Sequence, residues 1–298
     1  MRDVDNRSEI REFLATRRAK ITPEQVGLPA GSGRRRVPGL RREEVAVLAG
    51  VSPEWYARLE KGHIGGVSDS VLESVAQALR LDEAERDHLY DLARAARPTS
   101  RSSRRRPTPG VRPSVQRILD AMGTAPALVR NGRLDILAIN SLGRALYSPA
   151  FEDPTRPANL ARFNFLDSRS RDFYPDWHEA ANTSVALLRT EAGRDPYNRE
   201  LTDLVGELAT RSEEFRTRWA AHNVRLHRTG TKRFRHPVVG DLELAFDALE
   251  LPGEPGLTLT AYTAEPGSRT EDALALLASW AATEHPDAQT VEEEHQWS

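Results

Sequence analysis

The chain has 298 residues, of which 39% are hydrophobic and 29% are charged, and its 42 basic and 44 acidic side chains give a net charge of −2. This composition is typical of a globular protein and excludes the disordered and fibrous classes, and the length suffices for two domains. No apolar run approaches the roughly 20 residues of a membrane span, and the N-terminus lacks the pattern of a secretory signal. The chain has no cysteine, which excludes disulfides and thiolate metal sites. We therefore expect a soluble, cytoplasmic protein.

The charge is distributed unevenly along the chain. Residues 1–113 carry 22 basic and 16 acidic side chains, whereas residues 114–298 carry 20 and 28. A basic first part followed by an acidic second part predicts that only the first part binds a polyanion. Most of the basic residues are arginine, which suits phosphate and guanine better than lysine does.

The first hundred residues follow a helical pattern of apolar spacing. Ser52 has the side chain of an N-cap, and Asp82 with Glu85 forms a predicted capping box. Five short helices in about 95 residues indicate an all-α domain over residues 7–97. The predicted helices span residues 7–19, 41–49, 53–61, 68–79 and 82–96.

The second and third helices have the spacing of a helix-turn-helix motif. A short helix is followed by a three-residue turn with Gly50, which allows a positive φ, and then by the capped third helix. We expect the exposed side of the third helix to enter the major groove of DNA. Its exposed residues are predicted to be Pro53, Glu54, Trp55, Arg58 and Lys61.

A linker and a second domain follow. Residues 98–113 are rich in Pro, Ser and Arg without apolar periodicity, which is typical of an extended, positively charged linker. The second domain is predicted over residues 114–283, and residues 284–298 form an acidic tail.

The second domain begins with a helix over residues 114–122 and a β-hairpin whose two strands are joined at Asn131-Gly132. Asn140 caps the next helix, which runs to Tyr147. Strands at both ends with helices between them give an α+β domain with an antiparallel sheet, and we place turns at Gly240-Asp241 and at 253–256. The remaining helices are predicted over 176–193, 199–211, 213–222 and 271–283, and the remaining strands over 232–239, 242–249 and 257–263.

These residues resemble a known family. Residues 7–97 are similar to the lambda repressor-like, XRE-family helix-turn-helix domain. The segment GLPAGSGRRRVPGLRREEVAVLAGVSPEWYARLEKG resembles the actinobacterial type that carries a C-terminal MmyB-like ligand-binding domain. The resemblance extends over residues 7–283 through the looser phrases FYPDWHE, RWAAHNV, RFRHPVVGDLEL and LTLTAYTAEPGS. It implies a five-helix lambda repressor-like domain and a PAS-like α+β domain.

The resemblance assigns roles to residues of the motif. Arg42 would contact phosphate and Arg58 would bind guanine, while Arg18 and Glu60 would form a structural ion pair. Trp55 would contact a thymine methyl group, although packing against Arg17 is the alternative. The candidate DNA-binding residues are Arg34, Arg35, Arg36, Arg41, Arg42, Ser52, Glu54, Trp55, Arg58 and Lys61.

The resemblance also implies an apolar pocket in the second domain that takes a small, apolar or fatty-acid-like molecule. Ordinary core packing remains the alternative for each aromatic or apolar candidate. His222 or Arg225 would neutralise an acidic headgroup, and surface hydrogen bonds are the alternative role for both. The candidate ligand-binding residues are Phe163, Phe165, Trp177, Leu187, Trp219 and Tyr262.

Motifs of the common hydrolases, nucleotide-binding folds and metalloproteases are absent from the sequence. His222, His227, His236 and Asp241 match none of the common zinc spacings. We therefore expect no enzyme, no metal and no cofactor.

The sequence predicts a ligand-responsive transcription regulator that binds double-stranded DNA as a homodimer. Two other functions remain open. One is a constitutive DNA-binding regulator whose second domain serves dimerisation or the recruitment of a protein partner. The other is an enzyme with an appended DNA-binding domain, which would need a convergent set of polar residues in the second domain.

Overall fold

The computed structural model describes residues 3–28, 39–97, 110–152, 157–225 and 227–284. Contacts divide the chain into two compact units, each built from two stretches of chain. The first unit consists of Met1–Arg105 with Val185–Leu226, and the second of Arg106–Ser184 with His227–Ser298. Most of the predicted linker and nearly all of the predicted acidic tail lie outside the described residues.

The helical first part is confirmed. The five helices are α1 (Asp3–Lys20), α2 (Arg42–Leu48), α3 (Pro53–Glu60), α4 (Asp69–Ala78) and α5 (Glu83–Ala95), and a 3₁₀ turn at Glu24–Val26 follows α1. Helix α1 begins four residues earlier than the apolar pattern predicts. At the start of α5 the backbone N–H of Glu85 donates to the carboxylate of Asp82 at 2.8 Å, and the N–H of Asp82 donates back to Glu85 at 3.2 Å. The predicted capping box is therefore present.

The described part of residues 110–184 contains one β-hairpin, with a short helix before it and several short helices after it. Helices α8 and α9 escaped the sequence analysis because each is only one or two turns long, too short for an apolar period. The elements are α6 (Pro113–Ala121), β1 (Ala127–Asn131), β2 (Ile136–Ile139), α7 (Ser141–Leu146), a 3₁₀ turn (Ser148–Phe151), α8 (Leu160–Leu166) and α9 (Ser170–Phe173).

The rest of the chain contains the three predicted helices, the three predicted strands and the final helix. Helix α10 contributes its first residues to the second unit and its last residues to the first, because the division falls at Val185. The elements are α10 (Trp177–Arg194), α11 (Arg199–Arg211), α12 (Glu213–Ala220), β3 (Thr229–His236), β4 (Gly240–Glu250), β5 (Leu257–Thr263) and α13 (Arg269–Glu284).

The five described strands form one antiparallel sheet in the order β2-β1-β5-β4-β3. Side chains alternate between its two faces. On one face Val129 and Leu259 pack with Val115 and Leu119 of α6. The other face carries the larger cluster, which we call the aromatic core of the second unit. Its aromatic members are Tyr147, Phe163, Phe173, Tyr174, Trp177, Phe234, Phe246 and Tyr262.

Of the three predicted hairpin turns, the one at 253–256 is present and the first two differ in detail from the prediction. In the first, the N–H of Leu134 donates to the carbonyl of Asn131 at 3.0 Å, and Leu134, not Gly132, has the positive φ of 68°. The Asn131 side chain accepts from the N–H groups of Arg133 and Asp135, so this longer turn replaces a two-residue Asn-Gly turn. In the second, the turn is formed by residues 237–239, and Gly240, with φ 77°, already belongs to β4.

Asn140 is the predicted cap of α7 and does more than cap it. Its side-chain oxygen accepts from the N–H of Gly143 at 2.8 Å and from that of Ala127 at 3.0 Å. Its amide nitrogen donates to the carbonyls of Met122 at 2.9 Å and Ala125 at 2.8 Å. One buried side chain therefore joins α7, β1 and the segment after α6.

The first unit is built from helices around one apolar core. Apolar side chains of α1 to α5 form its core, which includes the fully buried Ile10, Phe13 and Tyr56. Val224, from the segment after α12, packs into the same core. One division between the units falls inside the predicted linker at residues 98–113, but residues 185–226 also belong to the first unit. Composition locates a linker and does not show which helices pack together.

Candidate nucleic-acid interface

The turn between α2 and α3 has the geometry that the motif requires. Gly50 adopts φ 66°, a conformation that favours glycine, and the N–H of Val51 donates to the carbonyl of Ala46 at 3.0 Å. The hydroxyl of Ser52 accepts from the N–H of Trp55 at 3.1 Å. Ser52 is thus the N-cap of α3, and Pro53 occupies its first turn, where a missing N–H costs nothing.

Helix α3 presents an exposed face of mixed charge. Glu54 lies in its first turn, Arg58 in its last turn, and Lys61 directly after it, and all three are exposed together with Pro53. No described residue forms an ion pair or a hydrogen bond with the guanidinium of Arg58. This face therefore carries a cationic group with unused donors and an anionic acceptor side by side.

Trp55 is less exposed than the sequence predicts. The side chain is partly buried and packs against the core of the first unit. The alternative contact with Arg17 is not found either, because Arg17 is buried elsewhere. Its guanidinium binds Glu85 at 2.9 Å, donates to the carbonyl of His222 and lies over the ring of Phe13.

The arginines around α2 differ in their ion pairing. Arg41 is exposed, and its backbone N–H donates to Glu44 at 2.6 Å. The side chain of Arg42 is 50% exposed and binds Glu60, with 3.0 Å between Nη2 and Oε1. Part of the charge of Arg42 is therefore already neutralised before any phosphate is bound. Arg34, Arg35 and Arg36 lie outside the described residues.

The ion pair between Arg18 and Glu60 is present. Both Nε and Nη2 of Arg18 lie 2.9 Å from the two carboxylate oxygens of Glu60, whose side chain is 1% exposed. Burial opposes ionisation of Glu60, but the hydrogen bonds from Arg18 and then Arg42 outweigh it and lower the pKa of the carboxyl group. The carboxylate therefore connects α1, α2 and α3 through two arginines.

The side of α1 that packs against α10 and α12 carries a second buried charge cluster. Arg189 donates to the carboxylate of Glu9 and to the carbonyl of Trp219, and its Nη1 lies 2.8 Å from Nδ1 of His222. Nε2 of His222 lies 2.9 Å from Oε2 of Glu12. Sequence reasoning missed this cluster, because about 180 residues separate its members and no local pattern marks it.

A cleft of about 280 Å³ lies beside this cluster, between α1 and the segment from α10 to α12. Trp219, one of the predicted ligand-binding residues, is part of its wall. Three carboxyl groups, those of Glu9, Glu12 and Asp195, line the same cleft. Such a wall disfavours a carboxylate ligand because like charges repel.

The six predicted ligand-binding residues do not fall in one unit. Leu187 and Trp219 belong to the first unit. The other four belong to the second unit, where Phe163, Trp177 and Tyr262 are buried in the aromatic core and Phe165 packs against it. Edge-to-face contacts join Phe163 to Phe173 at 5.6 Å and Phe165 to Trp177 at 6.1 Å between ring centroids.

The histidines have separate environments. His222 is paired with carboxylates of α1, so its imidazole faces acidic groups of the protein itself. The ring of His227 stacks on that of Phe246, and Nε2 of His236 lies 3.0 Å from the carbonyl of Ala145. Among the described residues no group of three or more histidines and carboxylates is arranged to hold a metal ion.

The comparisons with known proteins agree with this geometry. A family model described as a helix-turn-helix domain matches residues 9–89, which contain α1 to α5. The first part of the chain is therefore a DNA-binding domain of the helix-turn-helix class. A second model, the MmyB-like transcription regulator ligand binding domain, matches residues 111–277.

The second match covers more than half of the chain, so the protein belongs to the MmyB-like family of transcription regulators. The matched region includes the sheet and also α10 to α12, which in part pack in the first unit. No curated protein sequence matches the chain. None of the described helices is long and apolar enough to cross a membrane.

Proposed function

We propose that the protein is a cytoplasmic, homodimeric transcription regulator whose affinity for its operator changes when a small apolar ligand binds its C-terminal region. The capped helix α3, with Glu54, Arg58 and Lys61 exposed on one side, is the observation that carries the DNA-binding part. Arg58 has the donors for a bidentate contact with guanine, and Glu54 is an acceptor for the amino group of cytosine.

The dimer follows from the size of this surface. A single helix-turn-helix domain offers one reading helix and a few phosphate contacts, which are too few for specific affinity at physiological salt. Two copies related by a two-fold axis read two half-sites, so the operator is expected to be a pseudo-palindrome.

The packing of the first unit supports the proposal that ligand binding changes the affinity for DNA. Helices α11 and α12 lie within the region matched by the ligand-binding family model, yet they contribute to the same compact unit as α1 to α5. Arg189 and the His222 carbonyl bind Glu9 and Arg17 of α1 directly. A ligand that prefers one arrangement of α10 to α12 would thereby favour one arrangement of α1, which differential binding requires.

The first experiment selects an operator from random double-stranded DNA and compares specific with random DNA over a range of salt concentrations. Arg58→Ala is expected to lose about 1–3 kcal/mol at one base pair and to relax the preference there. Arg58→Lys is the matched control, because it keeps the charge but not the planar fork. It should retain affinity for random DNA and still lose the preference. Equal losses on both DNAs for Arg58→Ala would remove Arg58 from base recognition.

A constitutive regulator is the second candidate, and one observation favours it. Phe163, Trp177 and Tyr262 are packed against other rings in the aromatic core. Native mass spectrometry of the purified protein, followed by denaturing extraction, tests whether a small molecule is bound. If no added ligand changes the dissociation constant for DNA by more than about twofold, less than 0.5 kcal/mol, the switching part is wrong.

A further inference from the structure

The two stretches of chain that form the first unit meet across a charged interface. The first stretch contributes carboxylates of α1 and α5, and the second contributes basic groups of α10 and of the segment after α12. Arg189 binds Glu9, and Nε of Arg194 lies 3.3 Å from Oδ2 of Asp91. Nε2 of His222 lies 2.9 Å from Oε2 of Glu12. We call these three pairs the α10 interface.

His88 of α5 lies in the α10 interface and is fully buried. Its ring packs edge-to-face on Phe13 of α1, with 5.0 Å between the ring centroids. It also contacts α10 at Gly193, where a Cβ would lie 2.6 Å from Cε1 of the imidazole. The burial of His88 therefore depends on α10, and release of this helix would give the ring access to water.

The charged groups that face His88 come from all three helices. Oε1 of Glu9 in α1 lies 3.7 Å from its Nε2, Asp91 lies one turn further along α5, and Arg189 of α10 has the sign of a protonated imidazole. Among the described residues, neither ring nitrogen of His88 has a hydrogen-bond partner. The nearest carboxylate, that of Glu9, is already bound by Arg189 and lies 3.4 Å from Nδ1 of His222. A proton on His88 would therefore lose its water with little compensation.

The protonation of His88 is linked to the docking of α10. Burial lowers the pKa of His88, the carboxylates of Glu9 and Asp91 offset this only in part, and Arg189 adds to it. Burial raises the pKa of Glu9, but the hydrogen bond with His222 and the charge of Arg189 outweigh it and hold that pKa well below its usual range, so Glu9 stays charged. Once α10 is released, His88 lies in water and takes up its proton near about pH 6.5. Docking of α10 is therefore strongest above that pH and weakens as the pH falls below it.

Release of α10 would reach the reading helix through α1. Arg17 of α1 donates to the carbonyl of His222, and its neighbour Arg18 binds Glu60 at the end of α3. We propose that the α10 interface is a proton-dependent switch: when His88 takes up a proton, residues 185–226 are released from α1 and α5, and the protein binds its operator less tightly. This inference rests on the DNA-binding part of the proposed function and adds an input that needs no ligand in the second unit.

Hydrogen exchange of the full-length protein at about pH 7.5 and about pH 5.5 measures the release. Comparison with His88→Leu at the same pH cancels the effect of pH on intrinsic exchange. Exchange in α11 and α12 is expected to rise by up to about tenfold at the lower pH relative to His88→Leu, because each opening takes up one proton. A rise below about twofold would overturn the proposal.

The same experiment shows whether the release is local. At the lower pH, α11 and α12 are expected to exchange at least about tenfold faster than α4 after correction for intrinsic rates, because the DNA-binding helices stay folded. Strand β4 of the second unit should exchange alike in both proteins. Equal corrected rates in α4, α11 and α12 would mean that the first unit opens only as a whole, and no switch would then exist.

Gly193→Ala tests the switch without changing a titratable group. Its Cβ would press on the ring of His88, which lies against Phe13, so α10 is expected to be released already at neutral pH. Gly206→Ala is the matched control, since a Cβ there meets nothing within 4 Å. Gly193→Ala should weaken operator binding at least about threefold at neutral pH, and Gly206→Ala should leave it within about twofold. Equal operator binding by the two variants would contradict the link from α10 to the reading helix.

A third variant separates the two histidines of the interface. His222→Gln keeps an amide that can donate to Glu12 but removes the imidazole. It should retain the pH dependence of exchange, whereas His88→Leu should lose it, and the reverse result would overturn the assignment to His88. Titration of ligands at neutral pH, with operator binding as the readout, tests the ligand response separately, so either proposal can fail alone. Thermal unfolding at neutral pH shows which variants are folded.

Discussion

Glu60 connects the first three helices through two arginines. Its carboxylate is buried and binds both Arg18 and Arg42. Removal of one partner from a buried charge network is far more costly than the loss of an exposed pair, since the remaining charges keep their desolvation cost. The position of the motif therefore relies on one buried acidic side chain.

We expect Glu60→Ala to lower the free energy of unfolding by about 3 kcal/mol, measured by urea denaturation at pH 7. The matched control is Glu73→Ala, which removes a partly exposed carboxylate that pairs with Arg86 at 3.0 Å. The control should change stability much less. Similar losses for the two variants would show that Glu60 does not carry the structural role.

His88 makes the stability of the first unit depend on pH. It is fully buried against Phe13, and burial lowers its pKa, an effect that the carboxylate of Glu9, 3.7 Å from Nε2, only partly offsets. A histidine with a lowered pKa in the folded state takes up its proton more readily in the unfolded state. Its contribution to stability is therefore present above about pH 6.5, the unfolded value, and is lost as the pH falls below it.

We expect His88→Leu to flatten the loss of stability between pH 7 and pH 5, roughly the window in which the unfolded histidine takes up its proton. Denaturation midpoints across that range provide the measurement. His63→Leu, at an exposed position, controls for the loss of an imidazole. An unchanged slope for His88→Leu would place the acid sensitivity elsewhere.

At the scale of the elements, two helical glycines differ in their surroundings. A Cβ on Gly143 of α7 would lie 2.7 Å from the carbonyl oxygen of Ala127 and 2.8 Å from the side-chain oxygen of Asn140. A Cβ on Gly206 of α11 would meet nothing within 4 Å. The first glycine allows α7 to approach β1, whereas the second only lowers the helix propensity of α11.

The two Gly→Ala substitutions should therefore have opposite signs. Gly206→Ala is expected to stabilise the protein by about 0.5–1 kcal/mol, and Gly143→Ala to destabilise it by about 1–3 kcal/mol because backbone must move. Both are measured by urea denaturation of the full chain, and each serves as the control of the other. Destabilisation by Gly206→Ala would contradict the open environment of that residue.

The predictability of each element depended on how local its signal is. Gly50, Ser52 and the Asp82–Glu85 capping box act within a few residues, and all were predicted. The first hairpin was predicted, but its turn was not, because Leu134 rather than a glycine takes the positive φ. The alternation of side chains predicted β3 but not that Lys232 lies among aromatic rings. That position depends on Tyr147 and Tyr174, which follow α7 and α9 and are distant in sequence.

At the scale of the whole molecule, the sequence predicted two domains separated by a linker, while the packing assigns residues 185–226 to the unit that contains the DNA-binding helices. Neither the linker composition nor the charge asymmetry contains that information. Arg17 shows the reason, because its guanidinium binds both Glu85 of the first stretch and the His222 carbonyl of the second.

A fragment of residues 1–105 is therefore expected to be less stable than the same helices in the full chain. It lacks Arg189 and His222, the partners of Glu9, and also Val224 in the apolar core. Hydrogen exchange of the α1 amides measures this directly, and exchange should be faster in the fragment. Arg189→Met in the full chain is the companion variant and should accelerate exchange in α1 without removing α11 and α12. Equal protection in fragment and full chain would contradict the prediction.

The division of the first unit between two stretches of chain has a consequence during synthesis on the ribosome. Roughly 120 residues are translated between the end of the first stretch and the end of the second. At 5–20 residues per second this takes about 6–24 s, which is long compared with the folding of small helical domains. During this time Glu9 and Arg17 lack their partners Arg189 and the His222 carbonyl, which belong to the second stretch. The DNA-binding unit is therefore completed only when the second stretch has been synthesised.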